Sequence, residues 1–416
     1  SHDDSRSRAY RWGEDGIAGI SDRYCNVCFG IALWNGKDQI LKERLFGLTG
    51  PQGNHGEDVK ELYYYLENTP THSYMKHLYK YPQNQFPYRQ LVEENRKRGK
   101  NDLEYELLDT GIFDNNEYFD VLTEYAKADN EDILIKISIS NRSLNTAPIH
   151  VLPTLWTRNL WSFVGMPEKP IIKKETQKGQ TFVSLKHIYV GSYHLYFEEA
   201  SRLLFTENET NMEKVYAQPN DHPFKKDLFH DSVVNNDYSI ISKNNQGTKF
   251  APLYKLNIKA GETKTIKLRL TDSSLETPFD KGFDTIFSKR IQESQQFLDA
   301  TFKTATKDAK EIQKQAIAGL LWSKQYYNYE VERWLNGDHK EMPPPQNRFN
   351  GRNKEWKTLR NHDILAMPDK WEYPWFAAWD TAFHCVSLAL VDSNFAKDQL
   401  LLFTKEWYMA PNGQIP

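Results

Sequence analysis

The chain has 416 residues, with 53 Lys and Arg against 56 Asp and Glu and a formal charge of -3 at pH 7. That length exceeds what one hydrophobic core fills and points to more than one domain. The balanced charge, without a basic block, excludes a phosphate-tracking nucleic-acid surface. Aromatic residues make up 13%, including 11 Trp and 23 Tyr, which suits stacking on flat apolar ligand faces, although large cores use aromatics as freely.

The chain starts at Ser1-His2-Asp3-Asp4 without Met and runs directly into Tyr10-Arg11-Trp12-Gly13-Glu14-Asp15-Gly16. It reads as a fragment truncated at both ends, so any targeting segment has been lost from view. Tyr24 to Trp34 reads as an apolar strand. On a strand, residues three apart face opposite ways, so Cys25 and Cys28 are expected to share neither a metal nor a bridge. Three cysteines are too few for a disulfide framework and favour the cytoplasm. Gly50 to Asp58 is glycine-rich but lacks the Gly-Lys-Ser/Thr ending of a phosphate loop, and it suits reaching a neighbouring sugar site better. His55, Glu57 and Asp58 form only a weak ligand trio. With no better cluster, neither metal nor cofactor is expected.

Glu57 to Glu67 reads as a helix or an extended loop. Ile133, Ile135, Ile137 and Ile139 alternate with Leu134, Lys136, Ser138 and Ser140, the period of a half-buried strand, and Ile266, Leu268 and Leu270 repeat it. With Tyr118–Tyr125, Ile149–Trp156, Thr181–Leu185 and Tyr193–Phe197, these runs make residues 1–274 an antiparallel β-sandwich. Asn141 and Asn208 head sequons that recur by chance and carry no weight.

After Ser274 the period becomes helical. Phe283, Ile286, Phe287, Ile291 and Phe297 mark a first helix, making 275–304 a helical linker. Ile312, Ala316, Leu320, Ser323, Tyr327, Val331 and Trp334 mark a second, Lys307 to Leu335, stopped by Asn336-Gly337-Asp338. Residues 338–370 lack a sustained period and read as a lid-like loop. A third helix opens near Asp380 and carries Phe383, Val386 and Leu390. A fourth, capped by Asp392 or Ser393, runs through Phe395, Leu400, Phe403 and Trp407 to the turn Pro411-Asn412-Gly413. No run approaches a membrane span, and the mean hydropathy is -0.73.

The chemistry concentrates in Trp371 to His384, where three Trp, a Tyr and a Phe lead into Asp380. Desolvation by such aromatics raises a carboxyl toward the range of a general acid, whereas N–H donors at a helix start act the other way. An ordinary N-cap aspartate is the competing reading. Glu372 and Asp369 are alternative acids or sugar-binding groups, and His384 lies one turn beyond Asp380 on the same face. Trp322, Gln325, Tyr326 and Tyr329 on the second helix, and Trp375, Phe376 and Trp379 in the motif, are candidates for stacking on sugar, with plain core packing the alternative.

Tyr10 to Gly16, Gly50 to Asp58, Trp371 to His384, and Glu406 to Pro416 with Gln414, on a sandwich followed by helices, together resemble glycoside hydrolase family 63. The likeness is to bacterial proteins related to processing α-glucosidase and covers almost the whole chain. It implies an (α/α)6 barrel after the sandwich, with 305–416 its incomplete first part. It also implies inverting hydrolysis of α-glucosidic bonds in an oligosaccharide or glycoside, with Asp380 of the Trp379-Asp380 step as general acid. The family's general base is a Glu late in the barrel, and no position here matches it. An inverting site needs two carboxylates, so the chain by itself is expected to be inactive. Two alternatives remain: a glycoside phosphorylase of the same plan, and a non-catalytic carbohydrate-binding protein. The sugar, the linkage, any calcium requirement and the oligomeric state are not legible.

Overall fold

The computed structural model describes residues 14–50, 52–55, 58–162, 166–303, 306–337, 343–351, 354–368 and 376–415. A five-stranded antiparallel sheet runs in the order β1 (Ile17–Ser21), β2 (Val27–Trp34), β9 (Ala147–Thr157), β15 (Lys249–Ile258), β13 (Arg202–Thr206). A nine-stranded sheet runs β14 (Gln246–Gly247), β10 (Ile171–Gln177), β11 (Gln180–His187), β12 (Gly191–Phe197), β16 (Thr263–Thr271), β8 (Asp132–Asn141), β7 (Tyr118–Asp129), β6 (Tyr74–Pro82), β5 (Tyr63–Asn68). Two small ribbons complete the set among the described residues, β3 (Gly47–Leu48) with β4 (Asp58–Val59) and β17 (Lys324–Glu330) with β18 (Arg360–Ala366).

The expected sandwich is present. Phe29, Ile31, Ile149, Val151, Leu155 and Phe250 from one sheet pack with Val121, Ile135, Ile137, Ile139, Leu195 and Leu268 from the other in one buried cluster. Both sheets are also covered outside, which is why β2 and β8 read as more apolar than simple alternation allows. Leu134, on the outer face, meets Phe283 and Phe287 of helix α4 (Lys281–Thr301), with Tyr74 and Ala126. Each buried Phe contributes about 1.5–3 kcal/mol. On the other sheet, Leu152, Leu204 and Leu253 lie under Phe229 and Val233 of α3 (Leu228–Val234).

The reading of residues 1–274 as strands alone is corrected by α1 (Tyr88–Lys97), α2 (Met212–Tyr216) and α3. The Glu57–Glu67 stretch is not a helix where described: it holds β4 and most of β5, joined by the three-residue link 60–62, because Tyr63 and Tyr65 pair with Tyr79 and His77 of β6. Both sequon asparagines are buried and hydrogen-bonded, Asn141 to the Asn145 and Ile258 carbonyls and Asn208 to the Thr157 carbonyl.

The second helix is corrected most. α5 (Lys307–Trp322) stops where Ser323 hydroxyl bonds back to Gly319 O at 2.9 Å. The chain then becomes β17, paired over its whole length with β18, so part of the expected lid at 338–370 is a strand. Aromatic Tyr326, Tyr327 and Tyr329 favour a pleated surface once a partner strand is available. Short α6 (Val331–Asn336) follows β17, and α7 (Ala378–Leu388) and α8 (Ser393–Leu402) follow β18. The first helix forms as expected; the fourth starts as expected, with Asp392 capping α8 by accepting from Phe395 N at 3.1 Å, but it ends at Leu402, so Phe403 and Trp407 lie in the turns beyond it. A complete (α/α)6 barrel is not formed: four α-helices follow Thr306 among the described residues. No described helix is long and apolar enough to cross a membrane.

Burial lowers five imidazoles, His150, His187, His230, His362 and His384, with His150 at about 4. Their folded values lie below the unfolded value near 6.5, so the stability they lend is complete above about pH 6.5. It is lost as pH falls toward 4. Glu61 and Glu104, raised by burial, oppose this by binding protons in the folded state. Five groups act against two, so unfolding should on balance take up protons near pH 5.5. Thermal melts should give a Tm several degrees lower at pH 5 than at pH 7, and an equal or higher Tm at pH 5 would refute this account.

Candidate functional site

Ala377, extended at φ -142°, ψ 133°, precedes the first turn of α7, so the N-cap is an alanine and Asp380 sits three residues inside. The ordinary N-cap reading of Asp380 is thereby corrected. A carboxylate there still gains about 0.3–1 kcal/mol from the helix dipole. One face of α7, Ala378, Thr381, Cys385 and Leu388, is buried. Cys385 and Leu388 join Ile317, Leu321, Ala366 and Ala396 in the helical core.

The opposite face is bare. Trp379 is 75% exposed, Phe383 65% and Val386 72%, and Leu390 just beyond the helix is 71% exposed; Leu401 and Trp407 are exposed as well. Trp379 and Phe383 pair at 5.7 Å between ring centroids. Trp379 therefore does not shield Asp380 from water as the sequence led one to expect; it presents an aromatic surface beside a half-buried carboxyl. His384, one turn on, is half-buried, and its Nδ1 has no hydrogen-bond partner. Burial lowers His384 while Asp380 opposes the shift. No ion pair within 4.0 Å joins these two described residues.

The other candidates separate. Phe376 is a packing residue, stacked on Phe403 at 5.4 Å and edge-on to Tyr408 at 5.5 Å. Gln414 follows the turn at Gly413, its side chain exposed and its carbonyl accepting from Ala410 N. Glu372, Trp375 and the alternative acid Asp369 lie outside the described residues. Trp322 is buried and stacked on Tyr65 of β5 at 5.3 Å, tying α5 to the sandwich. Gln325 and Tyr326 are on β17 instead of a helix. These three line a cavity of about 480 Å³ at the junction of the sheets with the β17–β18 ribbon, and Phe376, Trp379, Asp380 and Gln414 are not among its walls. The structure thus makes two places of one expected site.

That cavity was not foreseen. Trp156, Tyr125 and Tyr193 come to it from β9, β7 and β12, and Glu131 from the turn between β7 and β8; the core faces of these strands were legible, but their convergence on one cavity was not. Tyr193 hydroxyl donates to Glu131, and the Arg158 guanidinium lies 5.1 Å from the Tyr326 ring. The metal readings weaken on inspection. Asp58, Glu104 and Glu106 surround the Lys60 ammonium, with Glu106 at 2.8 Å, and Glu57 lies outside the described residues. Lys225 similarly holds Glu209 at 2.9 Å beside Asp221 and His222. A lysine supplies the cation in each.

No family model matches the chain. The chain is 43% identical to the uncharacterized protein YMR196W of Saccharomyces cerevisiae over 99% of its own length, and it spans 42% of that relative. Among solved structures, a putative kojibiose phosphorylase from human microbiome is 13% identical, over 52% of this chain and 26% of that one, at a TM-score of 0.25. A galactose mutarotase related enzyme from Lactobacillus acidophilus is 11% identical, over 61% of this chain and 93% of that one, at 0.26. TM-scores this low fix neither fold nor activity.

Proposed function

We propose that this chain is the sandwich and the acid-bearing first part of an inverting glycosidase acting on α-glucosidic bonds, with Asp380 protonating the leaving oxygen. The observation that carries the proposal is the position of Asp380: inside the first turn of α7, not spent as a cap, and beside the outward aromatic pair Trp379 and Phe383. The observed sandwich followed by helices supports the division into 1–274, a linker at 275–304 and a barrel portion from 305. The bare face of α7 is the kind of surface that further helices bury. Trp322, Gln325 and Tyr326 serve in this reading as supports at the sandwich junction, and the base is a carboxylate beyond the present residues.

The test is stereochemical. A polypeptide extended to the length of the yeast relative, given an α-glucoside, should release the β-anomer first by proton NMR, because water attacks the face opposite the leaving group. Initial release of the α-anomer, or turnover only with added phosphate, would sink the assignment.

A further inference from the structure

The sequence led us to expect Cys25 and Cys28 on opposite faces of a strand, and the structure overturns this. β2 begins at Val27, and Cys25 lies in the turn from β1 with φ 56°. Asp22 fixes that turn, accepting from Tyr24 N at 3.0 Å, Asn26 N at 2.6 Å and Val27 N at 2.7 Å. A left-handed residue reverses the side-chain direction that strand period assumes. The two sulfurs end 3.5 Å apart, both buried and both in the wall of the 480 Å³ cavity.

We infer that Cys25 and Cys28 are a dithiol modification site, oxidised to an intramolecular disulfide by a low-molecular-weight disulfide that enters the cavity. A disulfide needs the sulfurs at about 2.05 Å, so closure asks for about 1.5 Å of movement shared between two side chains, one of them on a short turn. Tetrahedral metal binding is the weaker use of the pair, because it requires two more ligands. The groups of three or more metal-capable side chains among the described residues lie elsewhere. Cys385 has no such partner: its Sγ donates to Ala396 O at 3.4 Å under α8.

The chemistry balances as two exchanges. The Cys25 thiolate attacks one sulfur of the oxidant, forming a mixed disulfide and expelling one thiolate. The Cys28 thiolate then attacks the Cys25 sulfur and expels the second. The protein loses two electrons and two protons, and the oxidant becomes two thiols. Burial and the neighbouring Cys25 push the Cys28 thiol well up, so the second step should quicken as pH rises from 7 to 9. The bond would also brace the segment carrying Tyr24, whose ring meets Tyr326 at 6.1 Å and His362 at 5.8 Å, where the sandwich touches the β17–β18 ribbon.

Native protein incubated with oxidised glutathione, acid-quenched, alkylated after unfolding and digested with trypsin reads the outcome directly. The peptide Tyr24–Lys37 should be about 2 Da lighter than its dithiol form and free of alkyl groups, with Cys385 fully alkylated. Cys25→Ser and Cys28→Ser should each stop at a glutathione adduct on the remaining sulfur or at no reaction. A doubly alkylated Tyr24–Lys37 peptide, or a stable glutathione adduct as the end product in the unaltered protein, overturns the inference.

Discussion

Asp380→Asn, in a polypeptide extended to the yeast relative's length, should lower kcat on an alkyl or sugar α-glucoside by roughly 10²–10⁴-fold, the usual worth of a general acid. The substitution keeps shape and hydrogen-bonding capacity but has no proton to give. Its structural cost is small: the residue is not the N-cap, so only part of a dipole term of about 0.3–1 kcal/mol is lost and the Tm should barely move. The informative comparison is with a dinitrophenyl α-glucoside, whose leaving group departs as a stable anion and needs little protonation. The fall in rate should be far smaller there. Equal losses on both substrates would make Asp380 a positioning residue, and unchanged rates on both would remove it from the chemistry. The prediction rests on the proposed glycosidase reading and fails separately from it: the stereochemical result stands whichever carboxyl is the acid.

The sandwich was legible because its strands carry their own signal. Ile135, Ile137 and Ile139 alternate in sequence and all three are buried between the sheets. Helix α4 was legible for the same reason, with Phe283 and Phe287 one turn apart on the face that meets the sheet. Residues 323–337 were not legible, because Ser323, Tyr327, Val331 and Trp334 satisfy a helical stripe, and only pairing with Arg360–Ala366, distant in sequence, turns the first part into a strand. Local period cannot report a partner more than thirty residues away. The cysteines misled for a smaller reason: one positive φ at Cys25 ends the two-residue period before it reaches Cys28. At α7 the stripe Phe383, Val386, Leu390 was real, but a stripe says only that a face is apolar. The buried face proved to be the one carrying the smaller Ala378, Thr381 and Cys385.

Lys42→Met should cost about 3–5 kcal/mol of folding stability, the range for removing one partner of a buried ion pair. Lys42 and Glu61 are both fully enclosed, Nζ to Oε1 at 2.5 Å, with the ammonium 3.9 Å from the Phe86 ring centroid and 4.6 Å from that of Tyr88. Glu61 also accepts from Phe46 N at 2.8 Å and Tyr79 hydroxyl at 2.7 Å. Burial already pushes its carboxyl up against the pull of Lys42. Without the lysine, Glu61 must either stay charged in an apolar cage or take a proton. The penalty should therefore be greatest at high pH and shrink as pH falls, because the folded carboxyl binds a proton more readily than the unfolded one. Lys42→Met with Glu61→Gln removes the stranded charge while keeping an acceptor for Phe46 N and a donor toward Tyr79, and it should recover roughly half of the loss. Urea unfolding at pH 5.5 and 8.5 decides the matter. A single-variant cost below about 1 kcal/mol, or a double variant no better than the single at pH 8.5, would mean that the pair is a passenger in its aromatic cage and not the charge balance that holds β5 and β6 against Phe46.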